Sequence, residues 1–496
     1  LPEKHELDNM FYPRSVAVVG ASPNPKGWGG TQFVSRLRDI RFPGRLYPVN
    51  PKATEILGYK AYPDVPSIPE KVDLVIVAVS APGVPKVLED CISAGVKNVH
   101  IFSSGFGETG EEEGRRLEGQ ITEIMRRGNL RVVGPNCMGL YVPASKLAGW
   151  GVKPAGVGPF AFVSQSGGHG EILSAYAQGL GVYFSKMISF GNACGLQVTD
   201  FLEYLRQDPD TRLIALYLEG VKGGSGFPRL IKDINRSKPV IIWKGGLTGS
   251  GSRAVTSHTG SLAGERRMWD AFFAQTGAIR AGSLEEIIDV VLTFLHLSPP
   301  RGRRTLLVGG GGGNSVAFAD ICGRQGLEIP PLCEKTREQL NAFIRLAGNS
   351  TRNPLDVWLV QGDVDLYRRV MELSIADPAI DLAIIDRIVG TFGIDDDKSE
   401  EDSDKANRAV NDFLIGFARE RPHNKPLIVT FNTYGNDLRY AAQAMELRRE
   451  FVTAGIPAYT SLESAARAVA RFIGYHEFQA RHHPDASPER KRPILS

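Results

Sequence analysis

Short apolar runs rich in Val, Ile and Leu alternate with helix-like stretches along most of this chain. Ser15–Val19, Leu74–Val79, Val99–Phe102, Pro239–Trp243, Thr305–Val308, Leu382–Ile385 and Pro426–Phe431 are such runs. A run that is apolar throughout, not at every second position, predicts a strand covered on both faces. Strands separated by helices predict parallel sheets with helices packed on either side. The fold class expected is α/β, with doubly wound parallel sheets.

Three of the strands run into a glycine-rich loop and then a helix: Ser15 to Gly30 (SVAVVGASPNPKGWGG), Phe160 to Leu173 (FAFVSQSGGHGEIL) and Thr305 to Ile321 (TLLVGGGGGNSVAFADI). Glycine lets the backbone turn sharply and lets a ligand approach the amides. The helix that follows offers unpaired N–H groups and the positive end of its dipole. Each loop is therefore a candidate anion site at the carboxyl edge of a sheet.

Each loop opens a segment of domain size, which predicts domains at 1–147, 148–298 and 299–478. The Gly/Pro-rich stretch Gly149–Pro159 and the segment Leu297–Arg304 serve as links. Residues 479–496 are expected to form a disordered tail, because the end of the chain is rich in Pro and Arg. A chain of 496 residues agrees with about three domains.

Composition changes the picture mainly by exclusion. The hydrophobic share of 42% and charged share of 23% are those of a soluble globular protein. A net charge of +3 gives no reason to expect nucleic acid or an acidic membrane as partner. The five cysteines are widely spaced, without a CxxC pair or metal-ligand spacing, which fits a reducing compartment. The polar start predicts no signal peptide, and no apolar run approaches the length of about 20 residues that spans a bilayer. The expectation is a soluble cytoplasmic protein.

The most unusual local sequence is Gly245 to Glu265, GGLTGSGSRAVTSHTGSLAGE. It is long, polar and rich in small residues, and is expected to be a mobile functional loop. Its one imidazole is His258. With a free pKa of about 6.5, imidazole is largely neutral near pH 7 and can attack a phosphoryl group. Such a histidine needs an acceptor on its other ring nitrogen. Glu219, which ends the apolar run Leu213 to Glu219, is the candidate.

Several motifs then resemble one family together. SHTGSLAG, Ser257 to Gly264, resembles the phosphohistidine loop of ADP-forming acetyl-CoA synthetases and is similar to that of succinyl-CoA synthetase alpha subunits. Ser164, Gln165, Ser166, Gly167 and Gly168 (SQSGG) resemble their phosphate-binding loop. Phe11–Ser22, Val49–Lys52 and Val133–Gly139 resemble CoA-domain motifs, and Asn353–Asp356 (NPLD) a motif of the last domain. The resemblance runs to about residue 475.

The resemblance implies a Rossmann-like CoA-binding domain followed by two flavodoxin-like domains. It implies that His258 carries the phosphoryl group and that Glu219 orients it. It places Gly20, Ala21, Ser22, Lys52, Val79, Ser80 and Asn136 against CoA, and lets Gly311, Gly312 and Gly313 supply a second phosphate-binding helix start. The third loop departs from the usual Asn-Ala-Gly-Gly-Pro-Gly-like form, having five glycines and then Asn314. Cys137 falls where the family lines the thioester site and is not read as a nucleophile.

The reaction implied is acyl-CoA, ADP and phosphate to carboxylic acid, CoA and ATP, through acyl phosphate and phosphohistidine. ATP or ADP and Mg2+ would sit on a separate ATP-grasp beta subunit in an α2β2 heteromer, since the three domains use the whole chain. Two other readings compete. A non-catalytic CoA-binding regulatory module would lack the reactive histidine. An NAD-dependent oxidoreductase would place an acidic residue after the second strand, where Asn50-Pro51-Lys52 stands instead.

Overall fold

The computed structural model describes all residues except 1–4, 223, 225, 260–264, 358–362, 391–399, 434–436, 484–492 and 496. The side chains of residues 254, 256–259, 400, 401, 403 and 404 also lie outside the described set. The chain groups into two compact units. One holds Leu1–Gln178 with Val182–Leu284, the other Glu285–Ser496 with Gly179–Gly181.

The first unit contains two sheets. In the first, β1 (Ser15–Val19), β2 (Arg45–Val49), β5 (Leu74–Val77), β6 (Asn98–Ile101) and β7 (Arg131–Val133) run parallel in the order β2-β1-β5-β6-β7. A small antiparallel ribbon, β3 (Glu55–Ile56) with β4 (Tyr59–Lys60), stands apart. Val75, Val77, Val99 and Ile101 are buried against Val84, Leu88 and Cys91 of the helix Val84–Ser93 and Leu117 and Ile121 of the helix Glu112–Gly128. The latter helix buries Leu117, Ile121, Ile124 and Met125, an i, i+4, i+7, i+8 stripe that forms one face. Glu112 and Glu113 open it and Arg126 and Arg127 close it, matching the helix dipole.

The second sheet is β8 (Gly139–Val142), β9 (Leu147–Ala148), β10 (Phe160–Ser164), β11 (Phe184–Ser189), β12 (Leu213–Leu218), β13 (Val240–Lys244) and β14 (Ile279–Ala281). Its order is β14-β13-β12-β10-β11-β8-β9. Strands β10 to β14 are parallel, whereas β8 joins β11 antiparallel and β9 joins β8 antiparallel. The chain thus enters the second sheet at Gly139, within the segment expected to close the first domain. Four buried residues, Gly139 to Val142, fit a strand flanked by β11 on one side and β9 on the other.

The second unit is built on β15 (Thr305–Gly309), β16 (Leu355–Asp356), β17 (Leu382–Val389), β18 (Leu427–Thr433) and β19 (Ala458–Tyr459), parallel in the order β16-β15-β17-β18-β19. The helix Leu284–His296 packs here: Phe294 meets Phe472 and Tyr475 at ring distances of 4.8 and 5.2 Å, and Thr293 hydrogen-bonds Tyr459 at 2.7 Å. The last helix, Leu462–His482, extends into the segment expected to be a disordered tail. Beyond residues 484–492, which lie outside the described set, Ile494 and Leu495 donate backbone hydrogen bonds to Phe294 and Leu295.

The parallel core of each of the three sheets repeats one plan. The first strand (β1, β10, β15) is flanked by the second on one side and the third on the other. The direction of winding therefore reverses at the carboxyl end of the first strand, where open α/β sheets leave a crevice for ligands. The three glycine-rich loops stand at those three points. Among the described residues no helix is long and apolar enough to cross a membrane.

Candidate functional site

The loop after β10 is shaped by its own side chains. Ser164 Oγ donates to Ser166 O at 2.7 Å and accepts from Ser166 N at 3.1 Å, and Ser166 Oγ accepts from His169 N at 3.3 Å. The helix Gly167–Gly179 follows. The amides of its first turn have no partner within the helix, and although His169 N is capped by Ser166 Oγ, such a helix start favours an anion. A Cβ on Gly167 would lie 2.6 Å from Met138 Cγ, so glycine lets the Gly134–Met138 loop approach. Ser189 Oγ accepts from Met138 N at 3.1 Å and fixes that approach.

Glu219 stands at the neighbouring strand end. Gln165 Oε1 accepts from the amides of both Glu219 and Gly220, the latter at 3.0 Å. The phosphate loop and the acidic residue are thereby one hydrogen-bonded assembly. Glu219 is 6% exposed, and its Oε1 accepts from the Tyr217 hydroxyl at 3.2 Å. Lys244 Nζ donates to Glu219 O at 2.8 Å and to Gly245 O. Burial pushes the Lys244 ammonium down to about 8, with Glu219 opposing the shift.

These groups border an open cleft of about 840 Å³ lined by Ser166, His169, Tyr217, Glu219, Trp243 and Lys244 on one side and by Gly245–Thr248, Gly251 and Val255 on another. His169 lies edge-on to Tyr217 at 4.3 Å and 4.8 Å from Trp243. Burial holds its imidazole below the ordinary range, and Glu219 works in the other direction.

The segment Gly245–Glu265, expected to be a loop, contains the helix Gly249–Thr259. Thr248 starts it: its Oγ1 accepts from Gly251 N at 3.0 Å and its carbonyl from Ser252 N at 2.7 Å. Buried Val255 anchors it, and it packs against the turn Gly107–Thr109. His258 is on the last turn of this helix, which starts in the cleft. Its side chain lies outside the described set, as do residues 260–264.

The CoA-type residues surround the carboxyl edge of the first sheet. Gly20 has φ 96°, and a Cβ there would lie 2.3 Å from Ala78 O, so no side chain fits. Asn50 Nδ2 donates to Ala21 O at 2.7 Å while its Oδ1 accepts from Lys52 N at 2.8 Å. The exposed Lys52 and the Gly20–Ser22 loop are thus neighbours, but the amides of Gly20 and Ser22 are already engaged, donating to Val49 O at 3.2 Å and to Thr31 Oγ1 at 2.9 Å. Ser103 Oγ donates to Val79 O at 2.5 Å, and Asn136 N donates to Ser103 O at 2.9 Å. Ser80 is exposed beside Val79. Asn136 Nδ2 donates to Asn192 Oδ1 at 3.3 Å, and Asn192 Nδ2 to Glu108 Oε2 at 2.6 Å. Cys137 is 5% exposed, and burial pushes its thiol far up, which suits packing and not attack.

Comparison with known proteins agrees with this geometry. A model of the CoA binding domain matches residues 14–143, and one of the succinyl-CoA ligase like flavodoxin domain matches residues 157–294. The alpha subunit of acetate–CoA ligase [ADP-forming] II of Pyrococcus furiosus is 37% identical over 84% of this chain and 91% of its own length. The alpha subunit of the ligase I of the same organism is 33% identical over 96% of this chain and 99% of its own. This chain belongs to that alpha-subunit family. A dinucleotide-forming acetyl-coenzyme A synthetase 1 of Ca. Korarchaeum cryptofilum, solved with phosphate and ADP, superposes with a TM-score of 0.81 at 29% identity, covering 97% of this chain and 99% of that one. As a member of the ADP-forming ligase family the chain is the CoA-binding subunit of an acid–thiol ligase. The alternative of a non-catalytic module is not needed.

In the second unit, the third loop of this alpha subunit differs in detail from the expectation. Gly311 has φ 90°, and its amide donates to Asp356 Oδ1 at 2.8 Å. The Asn353–Asp356 motif therefore already engages one of the three amides assigned to phosphate. Gly312 and Gly313 form the first turn of the helix Gly312–Arg324. Asn314 Nδ2 donates back to Gly310 O at 3.1 Å, a contact the variant sequence of this loop makes available. Tyr217, Lys244, His169, Asn192 and Glu108 were not singled out in the sequence. Tyr217 and Lys244 sit inside or at the end of apolar runs, and His169 within the SQSGGHG segment itself, where the imidazole was the legible signal.

Proposed function

We propose that this chain works with a separate ATP-grasp beta subunit, in an α2β2 heteromer, to interconvert a carboxylic acid, CoA and ATP with acyl-CoA, ADP and phosphate. The observation that carries the reading is the junction of Gln165 with Glu219, because it joins the phosphate loop to the carboxylate beside the helix that bears His258. A phosphate oxygen attacks the thioester carbonyl carbon, the C–S bond breaks and the CoA thiolate leaves and takes a proton. A ring nitrogen of His258 then attacks phosphorus, the P–O bond to the acyl group breaks and the carboxylate departs. Glu219 holds the other ring nitrogen of His258, fixing its tautomer. The amides after Ser166 stabilise the transferring group by charge, and Gly312 and Gly313 grip it in a later state. ADP receives the phosphoryl group on the beta subunit, where ATP and Mg2+ bind.

CoA sits with its phosphates toward Lys52, Gly20, Ala21 and Ser22 and its arm toward Val79, Ser80 and Asn136. The five widely spaced cysteines, without a CxxC pair, fit a cytoplasmic setting.

The test is phosphoenzyme formation. Labelled ATP added to the complex of this chain with its ATP-grasp subunit should place an acid-labile, base-stable label on this chain. His258→Ala should abolish the label and Glu219→Gln should slow its formation. A His258→Ala protein that labels and turns over would falsify the assignment. Full ligase activity from this chain alone would remove the need for a second subunit.

A further inference from the structure

The loop between β1 and the helix Gly30–Asp39 presents an indole as well as amides. Trp28 is 76% exposed, whereas Trp150 and Trp269 are buried. Its backbone is nevertheless fixed. Thr31 Oγ1 accepts from Ser22 N at 2.9 Å and closes the base of the loop. Gly29, at φ 74°, passes flat over the sheet edge: a Cβ there would lie 3.7 Å from Ala78 Cβ and 3.8 Å from the Phe102 ring. The Trp28 and Phe102 rings stand 6.3 Å apart at 59°, and Phe33 backs Phe102 edge-on at 5.3 Å. The two rings form an apolar notch with one wall open to water.

The place of the notch says what could fill it. Phe102 N donates to Val77 O, and the next residue, Ser103, bonds Val79 O on one side and Asn136 N on the other. The notch therefore lies along the edge from β5 to β6 and β7, away from β2 and Lys52. CoA is polar at its adenosine bisphosphate end and apolar along its arm, which carries a gem-dimethyl group and ends in the thiol. With the phosphates at the β1 and β2 loops, the arm runs over β5 and β6. A large exposed aromatic at a ligand site gains most by being covered there.

We propose that Trp28 and Phe102 grip the pantetheine arm of CoA, making Trp28 a specificity residue that favours CoA and acyl-CoA over nucleotides lacking the arm. The proposal rests on the reading of this domain as the CoA site, and the experiment separates the two. Calorimetry and tryptophan fluorescence are run on the full chain with CoA and with adenosine 3′,5′-bisphosphate. Wild type that fails to bind CoA overturns the site reading itself. If wild type binds, Trp28→Ala should weaken CoA by about tenfold or more and leave the bisphosphate affinity unchanged. Trp28→Phe should keep most of the affinity and lose the fluorescence change that CoA causes in wild type. Unchanged CoA affinity in Trp28→Ala, or equal losses for CoA and the bisphosphate, would overturn the proposal.

Discussion

The Tyr217 hydroxyl donates to Glu219 Oε1 at 3.2 Å, and both residues are buried. Residues two apart on a strand point to one side, so β12 delivers both groups to the same crevice. Tyr217 holds one carboxylate oxygen in place and, in the function proposed above, so limits how the other would meet His258. Tyr217→Phe removes that donor and keeps the ring against His169 and Trp243. A hydrogen bond to a charged group is worth about 1.5–3 kcal/mol, so phosphoenzyme formation should slow by about tenfold or more while the melting temperature changes little. A wild-type rate in rapid-quench labelling would assign Tyr217 to packing alone.

His169 gives a pH prediction. Its folded imidazole is held below the ordinary range by burial, and Glu219 offsets this only in part. As pH falls through about 6.5, the unfolded chain takes up a proton on this ring more readily than the folded chain. Stability from this residue is therefore whole above that pH and is lost as the solution is acidified. His169→Phe should flatten the acid limb of unfolding midpoints measured in urea between about pH 5 and 7.5. An acid limb as steep as wild type would place the titration elsewhere.

The sheets were legible because buried parallel strands are apolar throughout. Ser15–Val19 forms as expected, and Leu382–Ile385 is extended to Val389 because Asp386 and Arg387 are also buried, with Asp386 accepting from Thr430. Polar residues inside a strand hide its true end. The same effect concealed Lys244, whose stem lies within β13 while its ammonium meets two carbonyls. Residues Gly249–Thr259 read as a loop because serine and glycine favour loops locally. The helix forms where Thr248 caps it and Val255 buries its anchor, and tertiary contact outweighs propensity. The engagement of Gly311 by Asp356 joins residues far apart in sequence, and no local pattern encodes it.

Lys186 offers a stability test removed from the proposed chemistry. Its ammonium is fully buried and donates to Asp208 Oδ2 at 2.7 Å, while Thr211 Oγ1 donates to the same carboxylate. Removing one member of a buried ion pair costs about 3–5 kcal/mol because the other charge is left in low dielectric. Lys186→Met should lose stability on that scale in denaturant unfolding. Adding Asp208→Asn should recover a large part of it. A double variant no more stable than Lys186→Met would show that packing around the stem, and not the unpaired charge, sets the loss.

Asn50 tests the other end of the CoA site. Its amide reaches Ala21 O in the β1 loop, its oxygen receives the Lys52 amide, and its own backbone N–H is held by Tyr62 O at 2.8 Å. The backbone anchor survives a side-chain change, so Asn50→Ala should loosen the Lys52 turn without unfolding the sheet. In the proposed site Lys52 is a point charge toward phosphate, and loss of its position should weaken every ligand that carries the phosphates. CoA and adenosine 3′,5′-bisphosphate should therefore both weaken, by about tenfold and in equal proportion, in contrast to Trp28→Ala. The loss should shrink as salt is raised, because screening already diminishes the contribution of an exposed charge. Calorimetry at low and high salt measures both effects. Selective loss of CoA with intact bisphosphate binding would mean that Asn50 supports the arm and that the phosphates lie elsewhere.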